Sequence, residues 1–335
     1  MQGQIQTGGV SSDAVLLQTI SGGGGSTAVS VINHRSARSS SVDQLPLTSV
    51  LGTRPGIGLG ASQPGTIGFN IGRDLSLSTT GANSQGLVAQ VISGGGGSSS
   101  LISEQLVNAA TIDLQLGSLN RSGVLSTNRS NSKLVEIVGA DSTSSLRIST
   151  EGSLSAGARL QSIGGGGGHA STQFGSGNSG KHAITLNLGA RGGDGGDGGK
   201  ISYKNLSGSI QTLGVISPGL IAQSIGGGGG SSSVLITGND DSKTQLSIVM
   251  GLRAGEGGDG SSVELEPNQS ILTFGQGSSA VVAQSIGGGG GLADISTMSS
   301  HATAPLSGSL FLGSRGGEGG HGGSVTLNNS GVIQT

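Results

Sequence analysis

Cysteine and tryptophan are absent from the 335 residues, and one tyrosine and four phenylalanines bring the aromatics to only 1%. Without cysteine there are no disulfide staples and no thiolate metal sites, which suits a chain that crosses an oxidising compartment unfolded. Without aromatic bulk a wide compact core is hard to fill, so any core here is thin and aliphatic. Charge is also scarce. Sixteen Lys and Arg against eighteen Asp and Glu leave a net charge of -2, with no basic patch of the kind nucleic acid requires. No apolar run reaches the roughly 18 residues of a membrane span, so no transmembrane segment is expected. The N-terminus lacks the basic and apolar segments of a signal peptide.

Glycine is abundant instead, at 70 residues, while hydrophobic residues make up 32% where globular domains have roughly 45–50%. Such a composition without a period reads as disorder. A period is present. The phrase Leu220-Ile-Ala-Gln-Ser-Ile-Gly-Gly-Gly-Gly-Gly230 returns as Val281-Val-Ala-Gln-Ser-Ile-Gly-Gly-Gly-Gly-Gly291, with weaker copies ending at Gly25, Gly97 and Gly168. Their glutamines are Gln18, Gln90, Gln161, Gln223 and Gln284, spaced by 72, 71, 62 and 61 residues. Upstream of each lies Thr-x-Gly-x-x-Ser, beginning at Thr7, Thr79, Thr150, Thr212 and Thr273. The chain closes on a further copy at Thr335, so it begins and ends at one phase of the repeat and reads as about five repeats cut from a longer array. A third element is Arg191-Gly-Gly-Asp-Gly-Gly-Asp-Gly-Gly199, matched by runs that open at Arg253 and Arg315.

Between these elements lie short alternating stretches. Ile184, Leu186 and Leu188 are one example, and alternation of this kind marks strands with one buried face. No stretch has helical spacing and caps. A single repeat cannot bury its own apolar face, whereas stacked repeats can. The expected fold is therefore all-β: an elongated parallel β-solenoid with coils of about 20 residues, three to a repeat, rising about 70–80 Å at about 4.8 Å per coil. Segments unique to one repeat, residues 26–50, 98–112 and 169–181, are expected as bulges that carry binding.

The glycine runs read either as flexible linkers or as packed extended segments. The three-residue period of Gly-Gly-X favours packing, because an extended helix with three residues per turn puts every X on one edge. Asp194, Asp197, Glu318 and His321 then face solvent. On this reading Ile225 and Ile286 are buried anchors, and a Cβ at Gly228 or Gly289 clashes. The recurring glutamines form a ladder inside the solenoid or cap a turn. Arg191, Arg253 and Arg315 dock on carbonyls of the glycine ribbon.

Signals for chemistry are weak. Gly175-Ser-Gly-Asn-Ser-Gly180-Lys181 looks like a phosphate loop, but His182 and a strand follow where Ser or Thr and a helix belong. Asp194, Asp197, Glu256 and Asp259 lack the nine-residue period of calcium-binding repeats. His34, His169, His182, His301 and His321 form no zinc pair. Ser130 and Lys133 match S-x-x-K with no accompanying motif. Paired carboxylates for glycosidic chemistry are missing. No catalytic residue, cofactor or metal is expected.

The phrases Ala222-Gln-Ser-Ile-Gly-Gly-Gly-Gly-Gly230, Ser207-Gly-Ser-Ile-Gln-Thr212 and Gly316-Gly-Glu-Gly-Gly-His-Gly-Gly323 resemble the glycine-rich repeats of autotransporter (type V secretion) passenger domains of Gram-negative bacteria. The resemblance spans the chain, more closely from about residue 140 onward. It implies a β-solenoid passenger at the bacterial cell surface, adhesive or structural and without enzymatic activity. Its partners would be a surface receptor, a polysaccharide, a neighbouring cell or other copies of itself. The alternative is a phage tail-fibre-tip adhesin, in which a polyglycine sandwich presents receptor-binding loops. An ice-binding surface would need a Thr ladder denser than one Thr per repeat.

Overall fold

The computed structural model describes residues 1–21, 26–32, 47–51, 65–94, 98–104, 111–117, 133–167, 169–176, 183–191, 194–238, 245–299 and 310–335. Among them there is no helix, and every strand pairing is parallel. The strands follow the repeat. The first repeat gives β1 (Gly3–Thr7), β2 (Val15–Ile20), β3 (Ser26–Ile32), β4 (Leu47–Leu51) and β5 (Ile67–Ile71). The second gives β6 (Leu75–Thr79), β7 (Leu87–Ile92), β8 (Ser98–Glu104), β9 (Thr111–Gly117) and β10 (Val135–Gly139). The third gives β11 (Ser145–Thr150), β12 (Ala158–Ile163), β13 (His169–Ser176), β14 (Ala183–Arg191) and the long β15 (Ile201–Thr212). Then come β16 (Leu220–Ile225), β17 (Ser232–Gly238), β18 (Gln245–Arg253) and the long β19 (Val263–Thr273). Last are β20 (Val281–Ile286), β21 (Ala293–Ser299), β22 (Leu310–Arg315), β23 (Val325–Leu327) and β24 (Ile333–Gln334).

Equivalent strands of successive repeats lie side by side. The second sheet runs β2-β7-β12-β16-β20, the third β3-β8-β13-β17-β21 and the fourth β4-β9-β14-β18-β22. The nine-stranded first sheet has two rows that merge in β15 and β19. Residue partners are one full repeat apart: Gln161 pairs Gln90 and Gln223, and Thr150 pairs Thr79 and Thr212. This corrects the expected coil. Sheet partners lie a whole repeat apart rather than about 20 residues, so the register does not support three coils to a repeat or the expected rise of about 70–80 Å. The period-2 pattern identifies strands but not how many strands complete a circuit.

The expected bulges also fall differently. Residues 26–32, 47–50, 98–104, 111–112 and 169–176 are strand, paired in register with their neighbours. Their sequences differ between repeats, yet parallel pairing uses only backbone groups and tolerates that difference. Residues 33–46, 105–110 and 177–181 lie outside the described residues.

Among the residues whose side chains are described, the core lies between the first and second sheets. Leu77, Ile148, Ile210 and Ile271 from one face Leu87, Ala158, Leu160, Leu220 and Ala222 from the other. The inner places of β16 are Leu220, Ala222 and Ser224, and every second residue turns outward. Tyr203 is among the largest fully buried side chains, at 0% exposure. Its hydroxyl donates to Gln269 Oε1 at 2.6 Å. Gln269 in turn donates to Leu146 O at 2.8 Å, beside the place where β15 shifts register between Lys204 and Leu206. A buried polar pair is tolerated there because each atom has a partner.

Candidate functional site

Several side-chain columns run through the stack, and each explains a repeated letter. At the corner, each motif threonine closes a turn. Thr79, Thr150 and Thr212 donate from Oγ1 to the carbonyls of Ser84, Ser155 and Ser217 at 2.7, 2.7 and 2.5 Å. The motif serines link layers. Ser84 N donates to Ser155 Oγ at 3.0 Å, Ser155 N to Ser217 Oγ at 3.1 Å and Ser217 N to Ser278 Oγ at 2.8 Å. The motif glycine sits where layers nearly touch, and a Cβ on Gly152 would lie 1.9 Å from Gly81 O. The residue before each motif serine has a left-handed backbone: φ is 55° at Ser11, 54° at Asn83, 58° at Leu154, 53° at Ile216 and 71° at Gly277.

The glutamines form an unbroken amide ladder. Gln18 Nε2 donates to Gln90 Oε1 at 2.7 Å, Gln90 to Gln161 at 2.6 Å, Gln161 to Gln223 at 2.7 Å and Gln223 to Gln284 at 2.6 Å. The ladder lies on the outer face of the second sheet, with half-exposed central members and exposed Gln18 and Gln284; the expected interior position is thus corrected. Ile225 and Ile286 share that outer face. Ile225 is half-buried and Ile286 is 41% exposed, so neither is the buried anchor the sequence suggests. The inner place beside them belongs to a serine. Ser162 Oγ accepts from Gly199 N, Ser224 Oγ from Ser261 N and Ser285 Oγ from Gly323 N, at 2.8, 2.8 and 2.7 Å. These serines tie the end of one glycine run to the strand that starts the other. Their recurrence in the Ser-Ile-Gly phrase was the available signal.

The two glycine runs of successive layers interleave. A chain of backbone hydrogen bonds passes from Gly320 N to Gly288 O, Gly288 N to Gly258 O, Gly258 N to Gly227 O, Gly227 N to Gly196 O and Gly196 N to Gly165 O, each at 2.7–2.8 Å. Other amides bond within their own column: Gly195 N to Glu256 O, Gly226 N to Ile286 O and Gly229 N to Gly289 O. A Cβ on Gly226 would lie 1.9 Å from Gly258 O, and one on Gly227 2.0 Å from Gly165 O. Gly228 and Gly289 are different. Their hydrogens point outward, and a Cβ meets Gly289 O at 3.8 Å in the first case and nothing within 4 Å in the second. The clash expected at those two positions is therefore absent, because the three-residue period turns every third glycine to the outside.

In the Gly-Gly-X runs the outward position carries the acidic residues. Asp194 and Asp197 are half-buried, not fully solvated, while Glu318 and His321 are exposed. Glu256 N donates to Asp194 Oδ1 at 3.0 Å, Asp259 N to Asp197 Oδ1 at 2.8 Å and His321 N to Asp259 Oδ1 at 2.7 Å. Arg315 pairs with the Glu318 carboxylate at 2.8 Å, both exposed, in place of the expected docking on ribbon carbonyls. Arg191 and Arg253 stack in register with it, but their side chains lie outside the described set. On the first sheet, hydrogen bonds from Lys200 at 2.6 Å and Lys204 at 2.9 Å hold the Glu264 carboxyl below its usual pKa.

Among the described residues no three His, Asp or Glu side chains converge as a metal site would require, and no helix is long and apolar enough to cross a membrane. Of the phosphate-loop-like stretch, Gly175 and Ser176 end β13; residues 177–182 lie outside the described set, as do His34, His301 and Ser130. No family model, no curated protein and no solved structure matches this chain.

Proposed function

We propose that the chain is a segment of a parallel β-solenoid passenger, exported in the manner of autotransporters and displayed on a bacterial surface as a non-catalytic scaffold and adhesin. The supporting observation is the register: strands one repeat apart lie side by side in all four sheets. Each repeat thus adds one layer of described strands, which suits a structure whose purpose is reach and surface. The columns of serine, glutamine and glycine hold adjacent layers together rather than gather groups around one point. Attachment would lie with a receptor, a polysaccharide or a neighbouring cell met along the side of the stack.

A second reading is a phage tail-fibre-tip adhesin. The interleaved glycine runs support it, since a polyglycine sandwich would bring extended glycine segments together through backbone hydrogen bonds of this kind.

Deletion of residues 151–212 tests the solenoid, because Thr150 and Thr212 are register partners. The shortened protein is expected to keep its β-type circular dichroism and a cooperative melt. Loss of folded structure would overturn the layer-by-layer reading. For the surface role, intact cells carrying the full-length protein should bind antibody raised against this segment. Labelling only after lysis would remove the surface reading and leave the tail-fibre one.

A further inference from the structure

The glycine lattice is closed on one side and open on the other. Each run has three kinds of amide. One bonds along its own column, as Gly226 N does with Ile286 O, and one bonds across to the other run, as Gly227 N does with Gly196 O. The third faces away from both. In the Gly-Gly-X column that third N–H, on Glu256, Asp259 and His321, is taken by the carboxylate of the preceding layer. In the polyglycine column the third position is Gly166, Gly228 and Gly289. All three are exposed, and their N–H groups have no hydrogen-bond partner among the described residues. A Cβ would meet nothing within 4 Å at Gly166 and Gly289, and only Gly289 O at 3.8 Å from Gly228. Packing within the chain does not require glycine at these three places, yet no side chain covers the backbone.

We propose that this bare row is a docking edge for an extended glycine-rich segment of a second copy of the chain, which continues the lattice in its third direction. Continuity with the existing interface supports that occupant. The two filled directions are already backbone N–H to carbonyl bonds between glycine runs at 2.7–2.8 Å, close contacts that only side-chain-free partners allow. The row carries no charge, and the flanking Ile163, Ile225 and Ile286 column supplies apolar surface that is 41% exposed at Ile286. Growth on the far side is blocked, because Asp194, Asp197 and Asp259 already cap the N–H groups there. A polysaccharide with carboxylates would cap the open row as those aspartates cap theirs, and the test below separates it from a second copy. The inference does not depend on the surface-scaffold reading.

The test is sedimentation velocity over a wide concentration range on the native chain and on the triple variant Gly166→Asp, Gly228→Asp, Gly289→Asp. The new side chains enter open space and can cap the row as Asp197 does, so the variant is expected to fold. Expected are reversible, concentration-dependent association of the native chain and an association constant at least about tenfold weaker in the variant. A triple Ala variant, whose methyl groups also hold a second backbone away, should show the same loss and serves if the Asp variant does not fold. A native chain that stays monomeric throughout overturns the proposal. Variants that associate like the native chain also overturn it, by placing the contact elsewhere, such as the open edges of the outermost strands. Binding of polygalacturonate by a native chain that does not self-associate would assign the row to a carboxylate polysaccharide instead.

Discussion

At the scale of single residues, position within a run of identical glycines decides everything. Gly227 and Gly228 are neighbours with the same letter, but a Cβ on the first lies 2.0 Å from Gly165 O and one on the second meets only Gly289 O at 3.8 Å. Gly227→Ala is expected to cost more than about 2 kcal/mol, since backbone must move apart in a hydrogen-bonded lattice. Gly228→Ala should be neutral or raise stability by about 0.4–1 kcal/mol, by restricting the unfolded chain. Paired denaturant melts of the two variants check this, and equal losses would contradict the lattice. Tyr203 gives a second residue-scale prediction. Burial holds its phenol well above the ordinary tyrosine pKa, so the folded chain keeps a proton that the unfolded chain gives up near pH 10. Stability is then fully present below about pH 10 and falls as pH rises beyond it. Tyr203→Phe is expected to remove most of that alkaline loss. At neutral pH it should cost about 1–3 kcal/mol, because Gln269 Oε1 loses its donor in the core. Melting temperatures of both proteins from neutral to alkaline pH test the sign.

Elements show where the local pattern was informative and where it was overruled. Alternation in Leu220–Ile225 marks β16 as a strand, but the phase follows from packing: Leu220, Ala222 and Ser224 go in, and Gln223 and Ile225 go out. Hydrophobicity alone suggests the reverse for Ile225. Ser224 takes the inner place because its hydroxyl receives Ser261 N from the glycine run, and isoleucine has nothing to offer there. The corner turn carries a comparable conflict. Ile216 has φ of 53°, a conformation that costs a β-branched residue about 1–2 kcal/mol, and its side chain is 56% exposed. Asn83 occupies the same turn position one repeat pair earlier with φ of 54°. Ile216→Asn is therefore expected to stabilise the chain by about 1 kcal/mol, read as a higher melting temperature. A lower one would mean that Ile216 packs against something the backbone geometry does not reveal.

Over the whole molecule, nearly all the strand pairing joins neighbouring layers, with the Gln269 bond to Leu146 O the exception that reaches across one, and stability is expected to behave approximately as a sum of layers and interfaces. Central layers have two neighbours and outer ones have one. Hydrogen exchange on the 335-residue chain should find the amides of β11 and β12 slowest and those of β1, β2, β23 and β24 fastest, in a graded series. Uniform protection from end to end would show a single cooperative unit instead. Among the described residues the core between the first and second sheets is built from aliphatic side chains such as Leu77 and Leu160 together with the aromatic Tyr203.

The sequence by itself determined the all-β class, the period of 61–72 residues and which letters recur, because these depend on local alternation and on self-similarity along the chain. It also pointed to packed glycine segments, since a three-residue period has no purpose in a linker. It did not reveal the size of a layer, the outward phase of Ile225 and Ile286, or the difference between Gly227 and Gly228. Those depend on which backbone lies beside which, across some 30 to 72 residues of intervening chain. The glutamines show the division most clearly. Five copies of one amide can be read from the sequence, but only parallel register brings Gln18, Gln90, Gln161, Gln223 and Gln284 within 2.6–2.7 Å of their neighbours, and only sheet packing puts their ladder on the outside.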